Sequence, residues 1–434
     1  MIALIGIALH SHHICFMYWE KKSQKAIKQR IFEALEQNEN YASKVILGVP
    51  GTYLDSKEFH HDAPFLKDAP FLSTLVANPN HIGCHTLNKD KSEAIFRGTQ
   101  KIEIELIELL ASQMFKAEPD SIDGYIAPGG TEANIQALWI YRNFFQSKEG
   151  AQPHEIAVLY SEDSHYSMPK GVNLLGIKQG VVKVTEEERK LTLEAIEEEV
   201  LNLRAKGVKY FIFVANMATT MFGSVDDIDL IVSAFDRPDD ELKIHVDGAF
   251  GGFIYPFTAG NDNKLNFNHP HVSSITLDAH KMLQAPFGTG IFLSRKGLMP
   301  YAATDEAQYV PGLDYTICGS RSGANVIAVW MIIQTHGSEG WKEKLKELNQ
   351  ITDRCTEKLD QLGIRYFRNP HMNIIAIDAR DISDKIAHKY RLVANSYEEQ
   401  PKWWKIVVMP HVKEHILNQF LKEIEQDRLE YFEL

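Results

Sequence analysis

The sequence predicts an α/β protein with a large, mostly parallel sheet, followed by a smaller α+β domain at the C-terminal end. First, short aliphatic runs alternate with helical patterns from about residue 123 to residue 294, which is typical of βαβ units. Second, the strand and helix patterns after residue 340 are fewer and mixed. Third, the 434 residues are 44% hydrophobic and 24% charged, which is the composition of a folded globular protein.

Residues 1–90 form a predicted N-terminal segment of helix and loop. Apolar residues at helical spacing predict a helix over 20–37, and the richness of 50–90 in Pro, Gly, His and Asn predicts an ordered loop. A long amphipathic helix follows, and its apolar positions are Ile95, Thr99, Ile102, Leu106 and Leu109.

Residues 91–340 form the predicted large domain, and 341–434 the small one. The predicted strands of the large domain are DGYIAP, EIAVLYS, VVKV, YFIFVAN, KIHVD, SSITLD and GIFLS. Helices are expected from Thr131, over LTLEAIEEEVLNLRAK, and near 322–335 and 341–361. The small domain then offers strands MNIIAID and KIVVMP and helices at 382–390 and 413–425.

Charge and cysteine usage exclude several classes of function. Lys and Arg number 46 against 58 Asp and Glu, so the net charge of −12 argues against binding to nucleic acid or an anionic membrane. The four cysteines are far apart, which predicts free thiols in a reducing compartment and no metal site built from them. The opening MIALIGIALHSHHICF lacks the basic start and small-residue cleavage site of a secretory leader, so we expect a cytoplasmic protein.

A glycine pair in APGGTEAN lies between a predicted strand and a predicted helix. Gly129 and Gly130 let the backbone approach a ligand, and the helix that begins near Thr131 offers free N–H groups to an anion such as phosphate. Taken alone, the motif is more often a tight turn.

Two further strand ends carry chemistry. In HVDGAFGGF, Asp247 ends a strand and is followed by Gly248 and Ala249, although an Asp there is also a common turn or helix-cap residue. In TLDAHKMLQAPFGTG, Lys281 follows His280 among apolar residues. Partial desolvation would lower the pKa of this amine and suit it to Schiff-base chemistry, whereas a surface lysine is the plainer alternative.

His165, in SEDSHYSMPKG, follows another predicted strand and on its own would be a structural residue. Together, however, a phosphate cradle, a carboxylate, a lysine and an aromatic histidine on strand ends of one sheet match the needs of pyridoxal phosphate. That cofactor requires a phosphate anchor, an acid at its ring nitrogen, a Schiff-base lysine and a stacking partner.

The chain resembles the group II pyridoxal-phosphate-dependent amino-acid decarboxylases, which have the aspartate-aminotransferase-like (type I) fold. The resemblance runs from about residue 75 to 425 and rests on PGGTEAN, HYS in SEDSHYSMPKG, ATTMFGSVDDI, HVDGAFGGF and LDAHKM. The segments GSRSG and VVMPHVKEHI resemble most the archaeal tyrosine/aspartate decarboxylases, with similarity also to bacterial histidine and plant serine decarboxylases.

This resemblance implies decarboxylation of an L-amino acid to its amine through a Lys281 aldimine and a quinonoid intermediate. It implies that Asp247 pairs with the pyridine nitrogen, that Ala249 packs under the ring and that His165 stacks over it. The implied phosphate and ring-edge contacts are Gly129, Gly130, Thr131, Ser274, His280, Thr219 and Thr220.

The resemblance also implies a proton donor on a mobile loop and a pocket for the substrate. Of the two tyrosines in YAATDEAQYVPGLDYTICGSRSG, Tyr309 is the better placed donor and Tyr315 the alternative. Lys405 lies where many members have an arginine for the substrate carboxylate, and His81 and His85 are the candidates for contact with the substrate side chain.

Three functional hypotheses follow. The first is an amino-acid decarboxylase, acting as a homodimer to which residues 1–90 contribute; the apolar helix at 20–37 is expected to pack on the partner. The second is a carbon–carbon lyase resembling sphingosine-phosphate lyases, which the missing membrane anchor and basic cluster disfavour. The third is a catalytically silent homologue, which the presence of Lys281, Asp247 and His165 disfavours.

Overall fold

A computed structural model describes residues 18–39, 68–87, 94–303 and 314–432. The N-terminal elements are α1 (Gln24–Gln37), α2 (Pro70–Ala77), β1 (Asn80–Ile82) and α3 (Arg97–Leu109), which continues as one π-helical turn over Leu110–Met114. The large domain has strands β2 (Ile122–Ala127), β3 (Ile156–Ser161), β4 (Lys178–Val182), β5 (Tyr210–Asn216), β6 (Leu242–Gly248), β7 (Val272–Asp278) and β8 (Gly290–Arg295).

Helices connect these strands. They are α4 (Gly130–Glu149), α5 (Ser167–Leu175), α6 (Leu193–Ala205), α7 (Ile228–Ser233), α8 (Pro238–Glu241) and α9 (Tyr255–Thr258). After the sheet come β9 (Ser320–Ser322), α10 (Gly323–Gln361), β10 (Tyr366–Phe367), β11 (Ile374–Asp378), α11 (Asp384–Lys389), β12 (Val393–Ala394), β13 (Trp403–Val407) and α12 (Glu414–Phe432).

The seven-stranded sheet has the order β2-β8-β7-β6-β5-β3-β4. Strands β4, β3, β5, β6 and β7 pair in parallel, while β8 is antiparallel to both β7 and β2. Strand β2 therefore runs in the same direction as the five parallel strands. This confirms the predicted α/β class and brings the carboxyl ends of six strands to one edge of the sheet.

Both faces of the sheet are buried, which explains why its strands are continuous apolar runs rather than alternating ones. In β5, Phe211 and Phe213 belong to one hydrophobic cluster, while Ile212 and Val214, one residue further along, belong to another. Side chains of a strand alternate between the two faces, so helices must cover the sheet on both sides.

The first helix packs within its own chain, which corrects the expectation that it covers the partner. Ile27, Ile31 and Ala34 of α1 are buried in the main hydrophobic cluster, and α1 contacts α3 and α10. Gly98 allows the close approach, because a Cβ there would lie 1.8 Å from the Ala34 carbonyl oxygen. Because α1 is buried within its own chain, this helix gives no support to the prediction of a dimer.

One other expectation needs correction, and a second is confirmed. Within 50–90, which was expected to be loop, the described residues include α2 and β1; Pro70 occupies the first turn of α2, where a proline is tolerated. The two helices expected near 322–335 and 341–361 are both present within α10, where Gly337, with a φ of 66°, interrupts the helical conformation between them.

The C-terminal elements form a second sheet that is covered by helices and has its own hydrophobic core. Strands β10, β11, β13 and β12 make a four-stranded antiparallel sheet, and α11 and α12 cover it around a separate hydrophobic cluster that includes Trp404 and Phe420. The boundaries at 90 and 340 stay predictions. In the described part of the chain, no helix is both long and apolar enough to cross a membrane.

Candidate functional site

A cavity of about 660 Å³ opens at the carboxyl edge of the large sheet. The loops that follow β2, β3, β6 and β7 all contribute to its wall. The lining residues are Pro128, Gly129, Gly130, Thr131, Glu132, Asn134, Ile135, His165, Tyr166, Leu174, Ala249, Asp278, His280, Lys281, Phe287, Gly288 and Ile317. Seven of the residues predicted from the motifs are among them: Gly129, Gly130, Thr131, His165, Ala249, His280 and Lys281.

The glycine turn places the beginning of α4 at the cavity. A Cβ on Gly130 would lie 2.7 Å from Asp278 Oδ2, so this position has no room for a side chain. The first bond within the helix runs from the Ala133 N–H to the Gly129 carbonyl, which leaves the N–H groups of the first turn directed at the cavity. These N–H groups and the helix dipole favour an anion there.

Lys281 lies in a short turn after β7. Its Nζ is 3.1 Å from Asp278 Oδ2, and its side chain is 33% exposed, so the amine is less enclosed than its apolar sequence context predicts. The His280 Nε2 lies 3.6 Å from the same carboxylate. Burial is the main cause that lowers the pKa of His280, and the positive charge of Lys281 adds to it.

Asp247 ends β6 directly beneath the lining residues Asn134 and Ala249. Its Oδ1 accepts a hydrogen bond from the Ala249 N–H at 3.0 Å, and its Oδ2 accepts one from Asn134 Nδ2 at 2.9 Å. The side chain is buried. The carboxylate is thus held by two donors, and each oxygen keeps a further lone pair for a ligand.

His165 stands on the loop between β3 and α5. Its Nδ1 accepts from the Ser167 N–H at 3.2 Å and lies 2.9 Å from the Ser167 hydroxyl, so the proton of the neutral ring is on Nε2. Burial lowers the pKa of His165, and the nearby Asp247 carboxylate opposes that shift.

A carboxyl group that the sequence analysis missed, Glu132, also borders the cavity. The Tyr125 hydroxyl lies 3.1 Å from each of its carboxylate oxygens, and burial raises the pKa of Glu132 to about 7. The Arg321 guanidinium is 4.8 Å from the centre of the Tyr125 ring. Glu132 stands inside the predicted glycine motif, but only the fold shows which way its side chain is directed.

His81 and His85 lie in a buried ionic cluster and not among the lining residues. His81 Nδ1 is 2.7 Å from Glu103 Oε2, and Arg321 donates to Glu103 Oε1 at 2.8 Å. Burial lowers the pKa of His85 to about 3. The geometry does not support contact between these histidines and a substrate, because the buried Glu103 carboxylate requires partners and receives them here.

Ser274 and Thr219 make hydrogen bonds within the protein, and neither they nor Thr220 are among the residues that line the cavity. Ser274 is fully buried and contacts His245 and Tyr141, and the Thr219 hydroxyl lies 2.7 Å from that of Ser224. The cofactor contacts of Ser274, Thr219 and Thr220 therefore stay predictions, as does that of Asp247, which is also absent from the lining.

Lys405 and the two tyrosines complete the set of predicted residues. Lys405 Nζ donates to the Thr220 carbonyl at 3.0 Å, and burial, followed by repulsion from Lys281, lowers the pKa of Lys405. Tyr315 is buried in the hydrophobic cluster behind the cavity wall, and burial raises its pKa. Tyr309 lies outside the described residues.

The buried ion pair of Glu103 and Arg321 was not predicted, although the position of Glu103 in the sequence indicates a buried charge. Glu103 follows Thr99 by four residues and precedes Leu106 by three, so it lies on the apolar face of the amphipathic helix α3. A charged residue at such a position implies a buried partner.

Comparison with known proteins identifies the relatives of the chain. Residues 28–374 match the family described as the pyridoxal-dependent decarboxylase conserved domain. The tryptophan decarboxylase of Clostridium sporogenes is 45% identical over 414 residues, which are 95% of this chain and 99% of that protein. A probable L-tyrosine/L-aspartate decarboxylase of Methanothermobacter thermautotrophicus is 30% identical over 77% of this chain and 89% of its own length.

Solved structures with a similar fold have lower identity. The glutamate decarboxylase of Lactobacillus brevis superposes with a TM-score of 0.68 at 19% identity, over 98% of this chain and 94% of that one. The sphingosine-1-phosphate lyase of Burkholderia pseudomallei gives a TM-score of 0.68 at 16% identity, over 94% and 90% of the two chains. At these identities the likeness shows the shared fold alone.

Proposed function

The chain belongs to the pyridoxal-dependent decarboxylase family, and we propose that its substrate is an aromatic L-amino acid, with L-tryptophan preferred. The reaction is the pyridoxal-phosphate-dependent decarboxylation of an L-amino acid to the amine and carbon dioxide. The choice of tryptophan is carried by the 45% identity over nearly the full length of a tryptophan decarboxylase.

The wall of the cavity supports an aromatic substrate over an acidic one. Ile135, Leu174, Phe287 and Ile317 give it apolar surface, and Tyr166 adds an aromatic ring. Among the described lining residues, the basic side chains are His165, His280 and Lys281 alone, and all three are assigned to the cofactor in this proposal. An aspartate or glutamate side chain would therefore lack a cation of its own, which makes its burial costly.

A panel of L-amino acids tests the choice of substrate. We expect kcat/KM for L-tryptophan to exceed that for L-tyrosine and L-phenylalanine, and these to exceed L-histidine, L-glutamate and L-aspartate by about a hundredfold or more, the discrimination that leaving a charge unpaired produces. Amine and carbon dioxide are both measured. A higher kcat/KM for L-aspartate than for L-tryptophan would contradict the proposal.

The residues of the cavity fit pyridoxal phosphate. Two buried polar atoms at the cavity, Asp278 Oδ1 and His280 Nδ1, have no hydrogen-bond partner among the residues that the structure describes, and the first turn of α4 presents its N–H groups there. Phosphate suits the beginning of α4, and the Lys281 amine suits the aldehyde carbon. When bound, the cofactor supplies the electron sink that takes up the bonding electrons as carbon dioxide leaves.

In this proposal the protein positions and shields the reacting groups. Lys281 would hold the cofactor covalently, and the Asp247 carboxylate would accept a hydrogen bond from the ring N–H and keep that nitrogen protonated. Ala249 and His165 line the cavity and would pack against the cofactor ring, and the walls of the cavity would orient the substrate carboxylate for its departure. Lys405, near Lys281, is the proposed cation for the substrate carboxylate, without the bidentate geometry of an arginine.

Tyr309 is the proposed donor of the proton to the substrate α-carbon. Tyr309→Phe is expected to slow amine formation about a hundredfold or more, because a general acid usually accelerates a reaction by that factor. Binding of the substrate to the cofactor should persist. The share of product released as carbonyl compound with ammonia should rise, because the proton then reaches the cofactor instead. Product ratios by mass spectrometry measure both effects.

Tyr315→Phe is the matched control for this variant, since the Tyr315 ring is buried outside the cavity lining. It is expected to leave the product ratio unchanged. A normal ratio in Tyr309→Phe together with an altered one in Tyr315→Phe would assign the proton to Tyr315. If neither variant changes the ratio, the donor is a different group, and His165 is then the residue to test.

The exposed rim of the cavity supports a homodimer. Phe287 is 87% exposed although it lines the cavity, and Tyr166, Leu174 and Ile317 at the same cavity are also exposed apolar side chains. Such a continuous apolar rim is typical of a surface that another molecule covers. A second copy of the chain would cover the rim and shield the site from water.

Sedimentation velocity tests this assembly. The holoenzyme is expected to sediment with twice the chain mass of 49.3 kDa. Phe287→Glu should shift the protein toward monomer and lower its activity, because a charge would be buried in the interface. Leu201→Glu, at an exposed apolar position on α6 away from the cavity, is the matched control and should stay dimeric. An active wild-type monomer would refute the proposal.

The cytoplasm is the proposed location of the protein. The three cysteines in the described part of the chain, Cys84, Cys318 and Cys355, are free thiols, which is typical of a reducing compartment.

A further inference from the structure

A buried hydrogen-bonded chain runs from the core of the large domain to the Asp247 carboxylate. Tyr141 and Asn134 of α4 lie at its two ends, and His245 of β6 and Ser274 of β7 connect them. All four residues are fully or almost fully buried. Apart from Ser274, which was expected at the phosphate, none of these residues has a role in the reaction described above.

The sequence positions of these residues explain how the fold aligns them. His245 and Asp247 are two residues apart on β6, so their side chains leave the same face of the strand, and His245 pairs in register with Ser274 on β7. Asn134 and Tyr141 are seven residues apart, which is two turns on one face of α4. Helix α4 packs against β6 and β7, so Asn134 and Tyr141 can bond to side chains of both strands.

The direction of each hydrogen bond follows from the Asp247 carboxylate, at which the hydrogen-bonded chain ends. A carboxylate accepts only, so Asn134 must present its Nδ2 amide to Asp247 Oδ2, at 2.9 Å. The Asn134 Oδ1 then faces His245 Nε2 at 2.9 Å and needs a donor there. His245 Nε2 therefore carries a proton, and Thr276 Oγ1 at 3.2 Å is a second neighbour of the same atom.

The directions of the hydrogen bonds from His245 to Ser274 and Tyr141 follow in the same way. Burial lowers the pKa of His245 to about 4, so the ring is neutral near pH 7 and its Nδ1 must accept. The Ser274 hydroxyl, 2.6 Å away, donates to that nitrogen, and its own oxygen accepts from the Tyr141 hydroxyl. Burial holds the pKa of Tyr141 well above its usual value, so this phenol keeps its proton.

A branch of the chain reaches the other face of the site. The second Nδ2 proton of Asn134 is donated to the Ser167 oxygen at 3.0 Å, and the Ser167 hydroxyl is 2.9 Å from His165 Nδ1. One amide therefore contacts both the carboxylate beneath the cavity and the serine that orients the His165 ring.

We propose that His245 and Asn134 are positioning residues that hold Asp247 in the orientation and charge state required by the cofactor nitrogen, through the one-directional chain Tyr141–Ser274–His245–Asn134. This inference rests on the proposed role of Asp247. If the His245 ring is removed, the Asn134 oxygen loses its donor, and the amide that donates to Asp247 is held less firmly in place.

A double-mutant cycle separates this role from simple core packing. Cofactor-free protein is titrated with pyridoxal phosphate, and binding is followed by fluorescence in the wild type, His245→Leu, Asp247→Ala and the double variant. His245→Leu should weaken binding on the order of tenfold in the wild-type background, the effect expected from one hydrogen bond to a charged group. In the Asp247→Ala background it should weaken binding by less than about twofold, because no carboxylate remains to be held.

Further variants keep the test independent of folding defects. His245→Gln retains a donor toward Asn134 and should bind the cofactor within about threefold of wild type. Tyr141→Phe is compared with Tyr160→Phe, which removes a partly buried phenol hydrogen bond to Gln179 at the same sheet but outside the hydrogen-bonded chain. Only Tyr141→Phe should weaken binding, and its loss should also disappear in the Asp247→Ala background.

The proton position is read directly from nitrogen-15 NMR of histidine-labelled, cofactor-free protein near pH 7. The signals missing from the His245→Gln spectrum identify His245, and they should report a protonated Nε2 with a bare Nδ1. Equal loss of cofactor affinity in both backgrounds, or a proton on Nδ1, would overturn the inference. Unchanged affinity in Asp247→Ala alone would instead overturn the proposed role of Asp247.

Discussion

Replacing Lys281 with alanine is expected to abolish decarboxylation, with kcat lowered about a thousandfold or more. The amine is the one lysine among the described lining residues, and Asp278 holds it 3.1 Å away at the carboxyl edge of β7. Without this nucleophile the cofactor has no covalent anchor, and exchange of the anchor for the substrate amine is lost. Turnover of L-tryptophan and the cofactor absorbance of the purified protein measure the effect.

Lys264→Ala is the control for this variant, because Lys264 is a surface lysine that pairs with Asp229 far from the cavity lining. It should retain both colour and turnover. The Lys281→Ala protein should remain folded, since its side chain is one-third exposed and fills no core position. A Lys281→Ala protein that decarboxylates near the wild-type rate would refute the assignment.

Asp247→Ala is expected to lower kcat by about two to three orders of magnitude while cofactor still binds through Lys281. The carboxylate is buried and held by Asn134 and the Ala249 N–H, so its charge acts in a region of low dielectric. A ring nitrogen without that partner loses its proton and becomes a poorer electron sink. The size of the loss is that of removing one preorganised electrostatic partner from an active site.

The loss should appear in kcat more than in KM, because the proposed partner of Asp247 is the cofactor and not the substrate. Asp247→Glu restores the charge and should recover part of the rate if the longer side chain can reach the ring. Near wild-type turnover in Asp247→Ala would exclude the electron-sink role of this residue.

The strand-end chemistry of this chain could be predicted from sequence because it depends on local order. Asp247 and Lys281 each follow an apolar run, and in a parallel sheet such ends meet at one edge. The sequence also predicted that the backbone at Gly130 comes close to another group. It did not show that this group is the Asp278 carboxylate.

Other features depend on contacts between distant segments and could not be predicted. His81 and His85 were expected at the substrate, but Glu103 on α3 and Arg321 on β9 draw them into a buried cluster. Nothing near His81 in the sequence indicates either partner. The two helices within α10 were predicted separately, but the sequence did not show that the second follows the first directly, with only a kink at Gly337 between them.

The most direct test is to reduce the holoenzyme with borohydride, digest it and locate the retained cofactor by mass spectrometry. Reduction fixes a Schiff base permanently to the lysine that carries it. The structure predicts a single phosphopyridoxyl group on the peptide that contains Lys281, in an amount equal to the cofactor bound before reduction. A label on Lys405 or on any other lysine, or no covalent label in a coloured and active enzyme, would contradict the account of this site.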